Sequence, residues 1–201
     1  MREQLSLPEA RRVAVAALVG TAMEWYDYYL FGLAAALVFN RLFFTELDPW
    51  AASLAAFATF GIGFVARPLG AVIFGSLGDR IGRKPTLILS VVLIGIATAL
   101  IGVLPDFFAI GIAAPILLVV LRLVQGVAVG GEWSGAMTIA IEHAPKEHRN
   151  RLAALVQLSS PVATLLSSGA FTIVLLLPPA SFDAWGWRVP FLLAIPFLLV
   201  A

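Results

Sequence analysis

Five charged side chains stand inside otherwise apolar stretches of this chain: Glu24, Asp27, Arg67, Arg122 and Glu132. A charge held at mid-helix in hydrocarbon costs at least about 2.5–3.5 kcal/mol, so such residues face a bundle interior or a wet cavity. Glu24 and Asp27 are three positions apart and share one face of a helix. Two carboxylates that close in a poorly solvated place can hold a proton between them, or each can pair with a buried arginine. Arg67 and Arg122 offer the planar guanidinium fork that grips a carboxylate, whether it belongs to the protein or to a ligand. Gln125 points the same way as Arg122 and can add hydrogen bonds. Arg67 precedes Pro68, so it is also placed to satisfy carbonyls that the proline frees. Glu132 lies about 15 Å beyond Arg122 and about 80° round an ideal helix, too far for those two to pair.

The elements that must position these charges are long and apolar. Spans are expected at about 13–39, 51–77, 86–104, 113–141, 152–177 and 189–201. A hydrocarbon core about 30 Å thick needs about 20 helical residues, and the first five spans are long enough. The sixth, at 1.5 Å per residue, covers about 20 Å and is incomplete, so the chain reads as the front part of a longer protein. Counted from Val13, Glu24 and Asp27 fall about 16 and 21 Å along the first span, near the bilayer midplane. Composition agrees: 61% of residues are hydrophobic and 12% charged, against about 25% charged in soluble domains. The expected class is an all-α integral membrane protein.

The basic residues set an orientation. Arg2, Arg11 and Arg12 precede the first span; Arg80, Arg83 and Lys84 separate the second and third; Lys146, Arg149 and Arg151 separate the fourth and fifth. These segments share a side, which the positive-inside rule makes cytoplasmic, N-terminus included. The outer loops carry Glu46, Asp48, Asp106 and Asp183, and Trp50, Trp185 and Trp187 are expected to anchor at the outer interface. Arg11 and Arg12 before an apolar stretch imitate a secretory signal, but the span is too long and holds Glu24 and Asp27. Ser6 to Glu9 fits a capping box, with helix starting ahead of the membrane.

A polar knot, Gly75 to Lys84, sits between the second and third spans, where there is room only for a tight turn. Its one acid, Asp79, can pair with Arg80, Arg83 or Lys84, and the basic groups can also meet lipid phosphates. Gly78 and Gly82 permit the turn. On the fourth span Gly126 and Gly130, and Gly131 and Gly135, are spaced four apart, which suits close helix packing in lipid or, alternatively, close backbone approach to a substrate. Pro161, Pro190 and Pro196 mark kinks.

Together these motifs carry a resemblance. The knot, the run Arg122 to Gly126 and the basic residues after the fourth span resemble the major facilitator superfamily. The stretches Gly20 to Asp27, Gly130 to Trp133 and Trp185 to Phe191 are similar to its metabolite:proton symporter family. The resemblance covers nearly the whole chain. It implies the N-terminal six-helix bundle of a plasma (inner) membrane secondary transporter, its sixth helix truncated. A C-terminal half of the same transporter is expected as partner.

The implied activity is alternating-access uptake of a small, shikimate-like carboxylate driven by the proton gradient, with no cofactor. A proline- or betaine-type zwitterion carrier, or a truncated bundle that transports nothing, are the alternatives. The implied coupling and substrate candidates are Glu24, Asp27, Arg67, Arg122, Gln125 and Glu132. The implied cytoplasmic gating loop comprises Gly75, Asp79, Arg80, Gly82, Arg83 and Lys84.

Several other classes lack support. The chain has no cysteine for a disulfide or thiol nucleophile, and a net charge of +1 gives no argument for nucleic acid. It holds no phosphate-cradling Walker sequence for ATP drive, and no HExxH or Ser-His-Asp grouping for an enzyme.

Overall fold

The computed structural model describes residues 7–130 and 147–196, and within them the backbone is helix and turn without a strand. The first helix, α1, spans Leu7–Ala34 with Pro8 and Glu9 in its opening turn, where a missing N–H and a negative charge are both tolerated. It widens into a π-helical segment, Ala35–Phe39, and closes with Asn40–Leu42. Asp48 caps the second helix, α2 (Pro49–Ile81), by accepting from the amides of Trp50 and Ala51, each at 3.1 Å.

The knot is helical rather than a loop. The sequence suggested that α2 would end near Leu77 and the next helix begin near Thr86; instead α2 runs to Ile81 and α3 (Arg83–Val103) starts two residues later. Gly82 alone makes the joint, at φ 95, a conformation that a side chain would oppose. Its amide donates to the Gly78 carbonyl at 3.0 Å, and the Thr86 hydroxyl donates to the Gly82 carbonyl at 2.8 Å. Pro85 lies in the opening turn of α3, where its lack of an N–H breaks no helical bond. Gly78 is an ordinary helical residue, so the turn needs one glycine and not two.

A short turn, Phe107–Ile110, capped by Asp106, leads to α4 (Ala113–Gly130). Helices α5 (Arg149–Gln157) and α6 (Ser159–Val174) form one rod interrupted at Leu158. Pro161 lies three residues on and cannot donate to the Gln157 carbonyl, which accounts for the interruption. The chain then forms short helical turns at Pro179–Ala184, Gly186–Arg188 and Val189–Leu192.

Glycines set the closest packing in the bundle, that of α2 on α4. A Cβ added at Gly70, Gly126 or Gly130 would overlap the carbonyl oxygen of Val127, Gly63 or Arg67 respectively. Backbones that approach this closely gain van der Waals contact where lipid supplies no hydrophobic drive. The spacing of Gly126 and Gly130 made one side of this seam readable, whereas Gly63 and Gly70 on the facing helix have no such signature. Gly131 and Gly135 lie outside the described residues.

Among the described residues, four stretches are long and apolar enough to cross a membrane: Pro49–Ile81, Lys84–Val103, Ala113–Gly130 and Asn150–Val174. Helix α1 fails this measure because its middle is polar, yet Leu30, Phe31, Ala34 and, in the continuing turn, Val38 and Phe39 have no exposed surface. Protein rather than lipid covers the face that carries these residues. Val65, Val72, Leu165 and Ile173 are by contrast more than two-thirds exposed, as expected of side chains meeting hydrocarbon.

Trp187 corrects the sequence reading. Instead of anchoring at an interface it is fully buried, edge-on to Phe39, Phe43 and Phe191. Trp50 and Trp185 remain exposed. Next to Trp187, Arg188 donates to the carbonyls of Leu104 at 2.5 Å and Gly102 at 3.3 Å, closing the C-terminal end of α3. On the same end Arg41 bonds Asp183 at 2.9 Å, tying the last turn of the first helix to Pro179–Ala184.

Candidate functional site

The charges on α1 divide between two arginines. Asp27 turns toward α3 and α4: its Oδ2 accepts from Arg122 Nη1 at 2.9 Å, and its Oδ1 accepts from the Thr98 hydroxyl at 2.7 Å and from the Gln125 amide. The same Gln125 amide donates to Thr98 Oγ1 at 3.0 Å, while its Oε1 accepts from Arg122 at 3.2 Å. Asp27, Thr98, Arg122 and Gln125 are all buried. Both carboxylate oxygens are thus engaged, and each neighbour is held by another member of the set.

The Arg122 guanidinium donates through Nη1, its Nε is buried without a hydrogen-bond partner, and aromatic rings pack against it. Its Cζ lies 4.3 Å from the centre of the Phe31 ring and 5.1 Å from that of Phe60. A Cβ at Gly63 would come within 2.6 Å of Arg122 Nε. Gly63 therefore makes room for the arginine as well as for helix packing. The hydroxyl of Tyr26, the sequence neighbour of Asp27, donates to the Pro190 carbonyl at 2.6 Å and fixes α1 against Val189–Leu192.

Glu24, one turn before Asp27, faces a different partner. Arg67 Nη2 stands 3.8 Å from Glu24 Oε1, within ion-pair range but beyond hydrogen-bond distance. Arg67 keeps 29% of its side-chain surface exposed, against 5% for Arg122. It rests on the Phe64 ring at 4.6 Å, and Phe64 meets Tyr28 edge-on. The crevice joining both pairs is lined by Glu24, Asp27, Tyr28, Arg67, Arg122 and Gln125 among others, and it encloses about 10 Å³. That is roughly the space of one water molecule.

These helices also decide what the chain is. A family model described as "Sugar (and other) transporter" matches residues 13–201. The chain belongs to that transporter family. It is 52% identical over 198 residues to the shikimate transporter of Escherichia coli, covering 98% of this chain and 45% of that protein. The proline/betaine transporter of Escherichia coli is 37% identical over 191 residues, covering 94% of this chain and 38% of the relative. Among solved structures, the inward-open xylose transporter XylE from E. coli superposes with a TM-score of 0.79 at 19% identity, over 95% of this chain and 47% of that one. Another solved structure of XylE is that of a major facilitator superfamily proton:xylose symporter. This transporter-family chain therefore has the all-α major facilitator fold over about half the length of the curated relatives it matches.

Of the residues singled out from sequence, the structure brings Glu24, Asp27, Arg67, Arg122 and Gln125 around one crevice. Glu132 and the neighbouring Trp133 lie outside the described residues, as does the side chain of Arg83. Gly75, Asp79, Arg80, Gly82 and Lys84 are exposed at the far end of α2 and the start of α3, and among the described side chains no ion pair joins Asp79. Thr98 escaped the sequence reading. Its signal was present, since a hydroxyl in the uncharged run from Thr86 to Leu104 needs a partner in lipid, but a threonine can satisfy itself on its own helix. Thr98 also lies 2.8 Å from the Ile94 carbonyl.

Proposed function

We propose that this chain is the N-terminal half of a proton-coupled transporter that takes up a small carboxylate-bearing metabolite by alternating access, its N-terminus in the cytoplasm. One observation carries the reading: two acid–arginine pairs, Asp27 with Arg122 and Glu24 with Arg67, converge from three helices on a crevice within the membrane. Buried charges of both signs suit a site that closes round a charged solute better than they suit a pore. The crevice is far too small to hold a metabolite. A second bundle, packed against the face where Arg67 is exposed, would supply the other wall and the rocking partner.

The substrate class rests on the arginines and on the relatives. Arg67 offers a guanidinium to a carboxylate, and the shikimate and proline/betaine transporters are both similar to this chain. A shikimate-like carboxylate is the first reading because that likeness is 52% against 37%. A zwitterion such as betaine is the second. In this reading the joint at Gly82, with Asp79, Arg80, Arg83 and Lys84 around it, gates the cytoplasmic side.

The test is uptake of labelled shikimate into liposomes that carry the full-length protein, with an inward proton gradient imposed and unlabelled betaine as competitor. Gradient-driven accumulation of shikimate that betaine does not suppress supports the first reading. Suppression by betaine moves the substrate to the zwitterion class, and absence of uptake of either compound refutes transport of this kind.

A further inference from the structure

The two ion pairs differ in a way that divides their labour. Asp27 is saturated: Arg122, Gln125 and Thr98 bond both of its oxygens, and Phe31 and Phe60 cover the arginine. An incoming carboxylate would have to break several buried bonds to reach Arg122. Glu24 and Arg67 stand 3.8 Å apart with no hydrogen bond between them, and among the described residues Arg67 is Glu24's one ion-pair partner. Arg67 is partly exposed and rests on the Phe64 ring, so its guanidinium is presented rather than consumed.

Resting on the transport reading above, we infer that the substrate carboxylate exchanges with Glu24 on Arg67, and that Glu24, once displaced, takes the coupled proton. The charge balance favours this. Before binding, Arg67 and Glu24 sum to zero. When the substrate carboxylate occupies Arg67, an unpaired Glu24 would bury a net negative charge, which a poorly solvated site opposes. One proton, taken from the open side onto the Glu24 carboxylate, restores zero. On release the O–H bond of Glu24 breaks toward the other side, the carboxylate returns to Arg67, and the substrate anion is expelled. No state that must be occluded carries net charge.

Among the described residues, the groups facing Glu24 leave this exchange to it. Asp27 and Tyr28 share its helix, Arg67 comes from α2, and Arg122 comes from α4. Asp27 and Arg122 neutralise each other at 2.9 Å. Tyr28 and Phe64 flank Arg67 as an aromatic wall against which the carbon skeleton of the substrate can lie. The ligand class is a small monocarboxylate with an apolar or ring face. A monoanion then moves with one proton and no net charge, whereas a zwitterion moved the same way carries one positive charge inward.

Glu24→Gln tests this in the full-length protein, with shikimate as the probe and binding measured apart from transport. Glutamine keeps the shape, removes the competitor for Arg67 and cannot carry the proton. The expected result is shikimate binding several-fold tighter than wild type at pH 8 and flat with pH, whereas wild-type binding strengthens as pH falls. Counterflow should persist while accumulation against a gradient is lost. Wild-type shikimate uptake should be indifferent to a valinomycin-clamped potential. An E24Q protein that binds with wild-type affinity and pH profile, or that still accumulates shikimate, overturns the exchange alone. Wild-type protein that shows no proton-driven shikimate uptake overturns the transport reading and the exchange with it.

Discussion

Asp27 on the first helix and Arg122 on the fourth meet at 2.9 Å, each with at most 5% of its side chain exposed, and Thr98 and Gln125 bond the other carboxylate oxygen of Asp27. Removing one member of a buried pair leaves the other as an uncompensated charge, which costs about 3–5 kcal/mol. Asp27→Asn is therefore expected to lower the thermal stability of the detergent-solubilised protein and to abolish accumulation at every pH. That separates it from E24Q, in which binding survives. Wild-type melting and wild-type accumulation in D27N would remove Asp27 from both roles.

The α2–α4 seam predicts a contrast between glycines of one helix. A Cβ at Gly70 overlaps the Val127 carbonyl, whereas a Cβ at Gly61 meets nothing within 4 Å. Gly70→Ala should force the helices apart and destabilise by about 1–3 kcal/mol. Gly61→Ala should leave the melting temperature unchanged or slightly raised, since alanine is the better helix former. Equal melting of both variants would mean that the seam relaxes freely.

Two tryptophans at the same end of the bundle should behave oppositely. Trp187 is buried among Phe39, Phe43 and Phe191, and its truncation to alanine should cost about 3–5 kcal/mol. Trp50 is 74% exposed, and its truncation should stay within about 0.5 kcal/mol in detergent. Chemical or thermal unfolding of the two variants decides the matter, and similar losses would contradict the buried position of Trp187.

At the other end, Asp79→Ala should slow turnover while leaving membrane insertion and substrate affinity near wild type. Asp79 is exposed and contributes no ion pair to the described bundle, so its loss removes no packing. Unchanged turnover in D79A would leave the Gly82 joint with a topological role only.

Much of this architecture was legible because lipid makes sequence speak plainly. Uncharged runs as long as the hydrocarbon is thick fix helices, and each charge that interrupts one needs a protein partner. Hence Glu24, Asp27, Arg67 and Arg122 stood out before their contacts were known, and Gln125 by its helical register with Arg122. What remained hidden depends on rotation about the helix axis and on depth. Spacing put Glu24 and Asp27 on one face but not facing different arginines, and nothing in a run of small residues separates Gly70 from Gly61. Trp187 misled because an indole near a span end suits an interface and an aromatic core equally well. The knot misled because charge density imitates a loop, while a single glycine at positive φ is enough to turn the chain.

The most direct test follows protons rather than substrate. Liposomes holding the full-length protein and an entrapped pH dye, with no gradient imposed, are given external shikimate. Acidification of the lumen in step with shikimate entry, absent in E24Q, is the predicted result; shikimate entry with the internal pH unchanged would contradict proton coupling at this site.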